Sequence, residues 1–144
     1  MSRLFLAFFL LTCIRTFGQE TNNQFLQFNG LYETECAFDE NDDEGTQCYL
    51  RFYSDGKVIS VSTVCEGSAS DLKGWFNVEN KNISVGNYKI NKHKIQFSTT
   101  SKAGTVEYRG RIDKNGQIKL RTKSLINGYK SREKYRFIQL YNMK

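Results

Sequence analysis

Residues 48–65, "CYLRFYSDGKVISVSTVC", decide how the chain is read. Two alternating runs flank Asp55-Gly56, a pair that supplies the positive φ angles of a two-residue hairpin turn. Such a turn predicts a register with Phe52 opposite Ile59 and Leu50 opposite Val61. All four then share one face, while Arg51 and Tyr53 point the other way. Period-two alternation marks a half-buried strand, and it runs through both arms.

The same pattern recurs on either side. "NGLYETECA" (29–37) reads as the first strand. "GNYKINKHKIQFST" (86–99) reads as a hairpin turning at Asn91-Lys92, with Tyr88 against Ile95 and Gly86 against Phe97. A glycine facing an aromatic bends a strand without losing packing. "TVEYRGRIDKNGQIKLRTKS" (105–124) predicts a third hairpin, with a three-residue turn at 114–116 and Gly116 in the left-handed position. Ile112 then faces Ile118, and Gly110 faces Leu120. "EKYRFIQLY" (133–141) is the last strand. One segment breaks the alternation: in "SASDLKGWFNVENKN" (68–82), Ser70 can cap a short helix with Leu72, Trp75 and Phe76 on one side.

The fold class is therefore all-β, with about eight antiparallel strands in hairpin order and one short helix after the third. Strands of this number and length close most naturally into an up-and-down barrel, because closure removes exposed edges. A flattened two-sheet arrangement is the alternative.

With 144 residues the chain has room for one domain. "MSRLFLAFFLLTCIRTFGQ" (1–19) has the early charge, short apolar run and small-residue ending of a secretory signal peptide. Residues 1–18 are assigned to the leader and 19–144 to the barrel domain. "LLTC" loosely resembles a lipobox, so a lipid anchor on Cys13 is the minor alternative to an exported periplasmic or extracellular protein. No second apolar stretch exists, so no membrane span is expected. The formal net charge is +6, two charges of which, Arg3 and Arg15, belong to the leader. Faces lined with Lys and Arg read as solubility devices, and lysines on strand edges also block aggregation. A nucleic-acid partner would need basic residues interleaved with stacking aromatics on one face, and the export signal argues against one. Proline is absent, so nothing reads as a stiff linker. The sequon-like Asn82-Ile83-Ser84 matters only in a eukaryotic secretory pathway.

Several of these segments, "NGLYET", "YLRFYSDGKVISVST", "GNYKI", "KIQFSTTSKAGTVEYRGRI", "GQIKL" and "YRFIQL", together resemble the small lipocalin-like barrel proteins of bacterial envelopes. The likeness spans nearly the whole mature chain. Gly30-Leu31-Tyr32 is similar to the lipocalin G-x-W signature, with Tyr in place of Trp. The resemblance implies a barrel and leaves the ligand open, since fold does not dictate function.

Chemistry is sparse. His93 is the single histidine, its parity with Ile95 and Phe97 aims it inward, and no nucleophile motif accompanies it. No enzyme activity and no cofactor are implied. "DENDDEG" (39–45) approaches a calcium loop, but its glycine arrives one position late and the flanks are strands, so a solvated connection is favoured. Once Cys13 leaves with the leader, three cysteines remain, and an oxidising compartment favours pairing two of them. Strand parity aims Cys36, Cys48 and Cys65 inward at the same barrel end. Cys36–Cys48 is the expected disulfide and Cys36–Cys65 the next choice, with Cys65 the surplus thiol in the first case.

The barrel interior is the remaining candidate site. Tyr32, Phe52, Tyr88, Phe97, Tyr108 and Phe137 are expected to face inward with Leu50, Ile59, Val61 and Ile95. A mostly filled core is favoured over an open pocket. The expected function is a non-catalytic, monomeric binding module for a small apolar molecule in the barrel mouth, using Tyr32, Trp75, Tyr88, His93, Phe97 and Tyr108. The alternative is an interaction or inhibitor module for another envelope protein, acting through its loops. Exposed outer-face aromatics such as Tyr49 and Tyr53 would favour that role.

Overall fold

The computed structural model describes residues 25–143. The leader expectation and Cys13 lie outside that range. Eight strands follow in chain order: β1 Gly30–Glu33, β2 Thr46–Phe52, β3 Lys57–Val64, β4 Ser84–Asn91, β5 Lys94–Ser101, β6 Gly104–Ile112, β7 Ile118–Ser124 and β8 Lys130–Gln139. Each pairs antiparallel with the next, and β1 pairs with β8, so the meander closes into a barrel. The short helix after the third strand is a single 3-10 turn, Lys73–Trp75. No helix among the described residues is long and apolar enough to cross a membrane.

Closure requires sharp curvature at the inward-facing Gly86 and Gly110. A Cβ there would lie 1.7 Å from the Ser98 carbonyl oxygen and 1.8 Å from that of Lys119, so only glycine admits so close an approach of neighbouring strands.

The three hairpins test the turn reading differently. The β6–β7 ladder has the expected partners, Ile112 with Ile118 and Gly110 with Leu120, around a turn in which Gly116 is left-handed (φ 77°). In the β4–β5 hairpin the turn residues are Lys92 and His93, not Asn91 and Lys92. Tyr88 pairs with Phe97, Gly86 with Thr99, and Ile90 with Ile95. Each strand keeps its inward face, because the paired positions move by two residues.

The β2–β3 hairpin changes more. The turn is longer than Asp55-Gly56: the Gly56 N–H donates to the Tyr53 carbonyl, and the Tyr53 N–H to the Lys57 carbonyl. Phe52 pairs with Val58 and Leu50 with Ser60. A one-residue shift exchanges the faces of a strand. Ile59 and Val61, expected inside, are therefore outside.

Two apolar cores result. Inside the barrel, Tyr32, Leu50, Phe52, Val58, Ile95, Phe97, Tyr108, Ile112, Ile118, Leu120 and Tyr135 pack together, with Leu26 entering from the N-terminal segment. Outside, Leu31, Tyr49, Ile59 and Val61 form an apolar patch covered by Ala69, Leu72 and Phe76 of the β3–β4 connection. Buried Arg51 reaches from β2 to donate to the Phe76 carbonyl at 2.8 Å, and the Tyr53 hydroxyl donates to the same oxygen at 2.9 Å. These two bonds hold the connection against the wall. Tyr49, expected on an open outer surface, is buried beneath this cover, and Tyr53 is half-buried.

The disulfide joins Cys36 to Cys65, not to Cys48, with Cα atoms 5.8 Å apart. The reason lies in the rim. Ala37 bridges to Thr46, and the Cys65 N–H donates to the Glu44 carbonyl, so both cysteines flank the Glu44–Thr46 corner. Cys48 stays in the β2 ladder, pointing into the barrel, and is the free thiol among the described residues.

Candidate ligand site at the barrel mouth

The two ends of the barrel differ because the inward residues change character along each strand. At the end carrying the β2–β3, β4–β5 and β6–β7 turns, aromatic and aliphatic side chains fill the interior. Phe52 meets Tyr32, Tyr88 and Phe97 edge-on, with ring centroids 5.2–5.5 Å apart. Edge-to-face pairs of this kind add to the stability that burial supplies. Leu26 closes this end, and the Gln27 N–H donates to the Tyr32 hydroxyl at 2.9 Å. Burial pushes that phenol up to about 12, against the partial relief of the Gln27 bond.

Toward the other end the inward positions become hydroxyls. A hollow that runs over the rim to the outward Glu33, Arg132 and Arg136, about 770 Å³ in all, has Cys48, Ser62, Tyr108, Thr122, Glu133 and Tyr135 among its lining residues. Tyr108 forms its floor, stacked on Phe97 at 4.5 Å with its hydroxyl 2.8 Å from Ser60 Oγ. On β8, Glu133 accepts from Ser131 Oγ at 2.7 Å and from the Tyr135 hydroxyl at 2.5 Å. Across the barrel, Cys48 Sγ lies 3.3 Å from Ser62 Oγ.

Thr122 Oγ1 is buried and has no hydrogen-bond partner in the protein. In the ladder it sits between Tyr108 and Ser131. Thr99 Oγ1, also buried, lies beside the Tyr108 hydroxyl without completing a hydrogen bond.

The electrostatics favour neutral donors around one carboxylate. Burial raises the Cys48 thiol, the Ser62 contact lowers it, and the charge of Glu133 raises it further. Burial likewise raises Tyr108 and holds Tyr135 well above the ordinary phenol range, with Glu133 adding to both. A thiol held in its protonated form is a poor nucleophile. The arrangement is suited to accepting and donating hydrogen bonds.

Of the six residues proposed from sequence for a ligand, the structure places Tyr108 on the hollow, with Phe97 directly beneath it. Tyr32 is fully buried in the filled end. The Tyr88 hydroxyl donates to the Tyr53 carbonyl at the filled end. His93, expected to point inward, is exposed in the β4–β5 turn and stacks on Phe25 at 5.4 Å. Trp75 lies outside the barrel in the 3-10 turn, 48% exposed. The sequence reading therefore collected the aromatics of the filled end and passed over Glu133, Ser131, Thr122 and Cys48. Alternation through 131–137 carried the missed signal, since Ser131, Glu133 and Tyr135 share parity with Phe137.

The acidic loop folds on itself, with Asp42 Oδ1 accepting from the Glu44 and Gly45 N–H groups at 3.1 and 3.2 Å. Among the described residues no three His, Cys, Asp or Glu side chains converge as a metal site. The chain matches no known protein-family model and no characterised protein in sequence.

Proposed function

We propose that this is an exported, non-catalytic binding barrel that holds one small ligand in its hydroxyl-lined mouth. The observation that carries the proposal is the hollow itself, whose inward wall sets the Glu133 carboxylate among the side chains of Ser62, Thr122 and Ser131. Small-molecule sites are concave, with a few convergent polar groups beside apolar lining, as this one is.

The lining favours a guest with a polar end. Glu133 has acceptor capacity beyond the two bonds it receives, which suits an amine, amide or hydroxyl donor. Val106 and the Tyr108 ring supply apolar contact for the remainder. The sequence suggested a wholly apolar ligand; the hydroxyl lining favours a mixed one. Export is supported by the Cys36–Cys65 bridge, because oxidising compartments maintain such bonds. A closed barrel offers no edge strand for pairing, which supports a monomer. The eight-stranded meander is also compatible with the likeness to lipocalin-like envelope proteins.

The test is native mass spectrometry of the chain purified from its own host, followed by NMR titration with small primary amines, amides and polyols. A retained adduct, or shifts confined to Thr122, Ser131 and Glu133, is the expected result. Glu133→Gln should weaken that binding by about tenfold or more. An empty barrel whose mouth resonances respond to no probe overturns the proposal.

A further inference from the structure

The outward face of β6, β7 and β8 carries cations in rows. Register places Arg109, Arg121 and Arg132 side by side across the three strands, and Arg111, Lys119 and Lys134 form the adjacent row. Like charges directly opposite on neighbouring strands are destabilising. Among the described residues none of these six side chains forms an ion pair, so neither row is neutralised. Protection of strand edges does not explain the rows, because the closed barrel has no edges.

The same face ends in an apolar tip. The β7–β8 turn exposes Leu125 (52%), Ile126 (55%) and Tyr129 (66%), flanked by Lys123 and Lys130. Together these features select one kind of partner. Cations spaced about 4.8 Å across strands and about 6.8 Å along them make a two-dimensional grid, which matches a plane of headgroups better than one polyanionic chain. Two shallow depressions share Arg109, Arg121 and Arg132 in their walls, where the cations outnumber the one outward carboxylate, Glu107, and can seat anionic groups. Leu125, Ile126 and Tyr129 offer little to a soluble polyanion, but exposed aliphatic and tyrosine side chains enter the interfacial layer of a bilayer.

We infer that this face is a docking surface for an anionic membrane, with the basic rows on the headgroups and the β7–β8 tip inserted among them. The barrel leans on the bilayer as a peripheral protein.

The test is co-sedimentation of the mature chain with large unilamellar vesicles of phosphatidylcholine alone or with about one-third phosphatidylglycerol, at low and high salt. Binding is expected to the anionic vesicles, to be absent with phosphatidylcholine, and to fall as salt rises. The exposed double reversal Arg121→Glu/Arg132→Glu should lower partitioning by about tenfold or more. Leu125→Ser/Ile126→Ser should lower it by roughly tenfold while leaving its salt dependence in place. Thermal melts of both variants establish that the barrel is intact. Failure to bind the anionic vesicles overturns the inference. Binding to soluble heparin or polyglutamate that matches vesicle binding, and that the Leu125/Ile126 variant leaves unchanged, overturns it in favour of a soluble polyanion.

Discussion

The two ends of this barrel are built on the same eight strands, yet they are held by different forces. At the filled end Tyr32, Phe52, Tyr88 and Phe97 interlock and Leu26 seals the opening. At the mouth the inward positions include Cys48, Ser62, Thr122, Ser131 and Glu133, which cannot form a dry core. There the wall depends on a covalent tie, Cys36–Cys65, and on side-chain hydrogen bonds. The contrast teaches a division of labour: apolar burial at one end leaves the other free to carry polar groups. Natural proteins often trade stability for function within a site in this way.

The comparison can be broken from the filled end first. Tyr32→Ala should cost about 4 kcal/mol, because it opens a cavity where no side chain can relax to fill it. A calorimetric Tm within about 3 °C of wild type would show that this end is not the stabilising half.

The next largest effect belongs to the rim. Replacing Cys36 and Cys65 with alanine should cost about 3.5 kcal/mol in the chain-entropy model for a loop of this length. Hydrogen exchange should accelerate around residues 34–48 and 62–66 before it does in β5 and β6. Uniform acceleration would mean that the mouth is not a separately opening unit.

Alkaline pH probes both ends at once. Tyr32 is pushed up to about 12, and Cys48, Tyr108 and Tyr135 are raised from ordinary values of 9.0 for the thiol and 10.0 for the phenols. Between those values and the raised ones, the folded chain keeps protons that the unfolded chain has lost. Stability is therefore fully present at neutral pH and falls as pH rises from about 9. Urea midpoints that hold steady or increase between about pH 9 and 11 would contradict the sign.

The smallest effect sharpens the comparison most. Thr122→Val removes an unpartnered buried hydroxyl at nearly constant shape and should stabilise the empty barrel by up to about 1 kcal/mol. Destabilisation by the valine would mean that the hydroxyl already has a structural partner.

Much of the fold was legible. Alternation marked all eight strands, and the turn at 114–116 fixed the β6–β7 register to the residue. The β4–β5 turn was displaced, but by a step that preserves which side chains face in, so Tyr88, Ile95 and Phe97 stayed inside. The candidate site was less legible. Aromatics attracted the ligand assignment, although in a small barrel they are needed first to fill the core, as Tyr32 and Phe97 do. The chemically distinct positions, Glu133 and Thr122, looked like ordinary polar residues of exposed strand faces until closure turned them inward.

What the sequence by itself determined is the number of strands, their hairpin order and the alternation along each. Local chemistry suffices for these, because a strand's pleat and a turn's φ angles are properties of a few adjacent residues. Only the tertiary structure decided which face of β3 is inside. Ile59 and Val61 advertise a buried side, but burial comes from Ala69, Leu72 and Phe76 lying over the outer wall as well as from the barrel interior. Alternation reports that a face is covered, not by what covers it. The disulfide partner followed the same rule: Cys36 meets Cys65 because the rim folds over Glu44–Thr46, a long-range arrangement that no local pattern encodes.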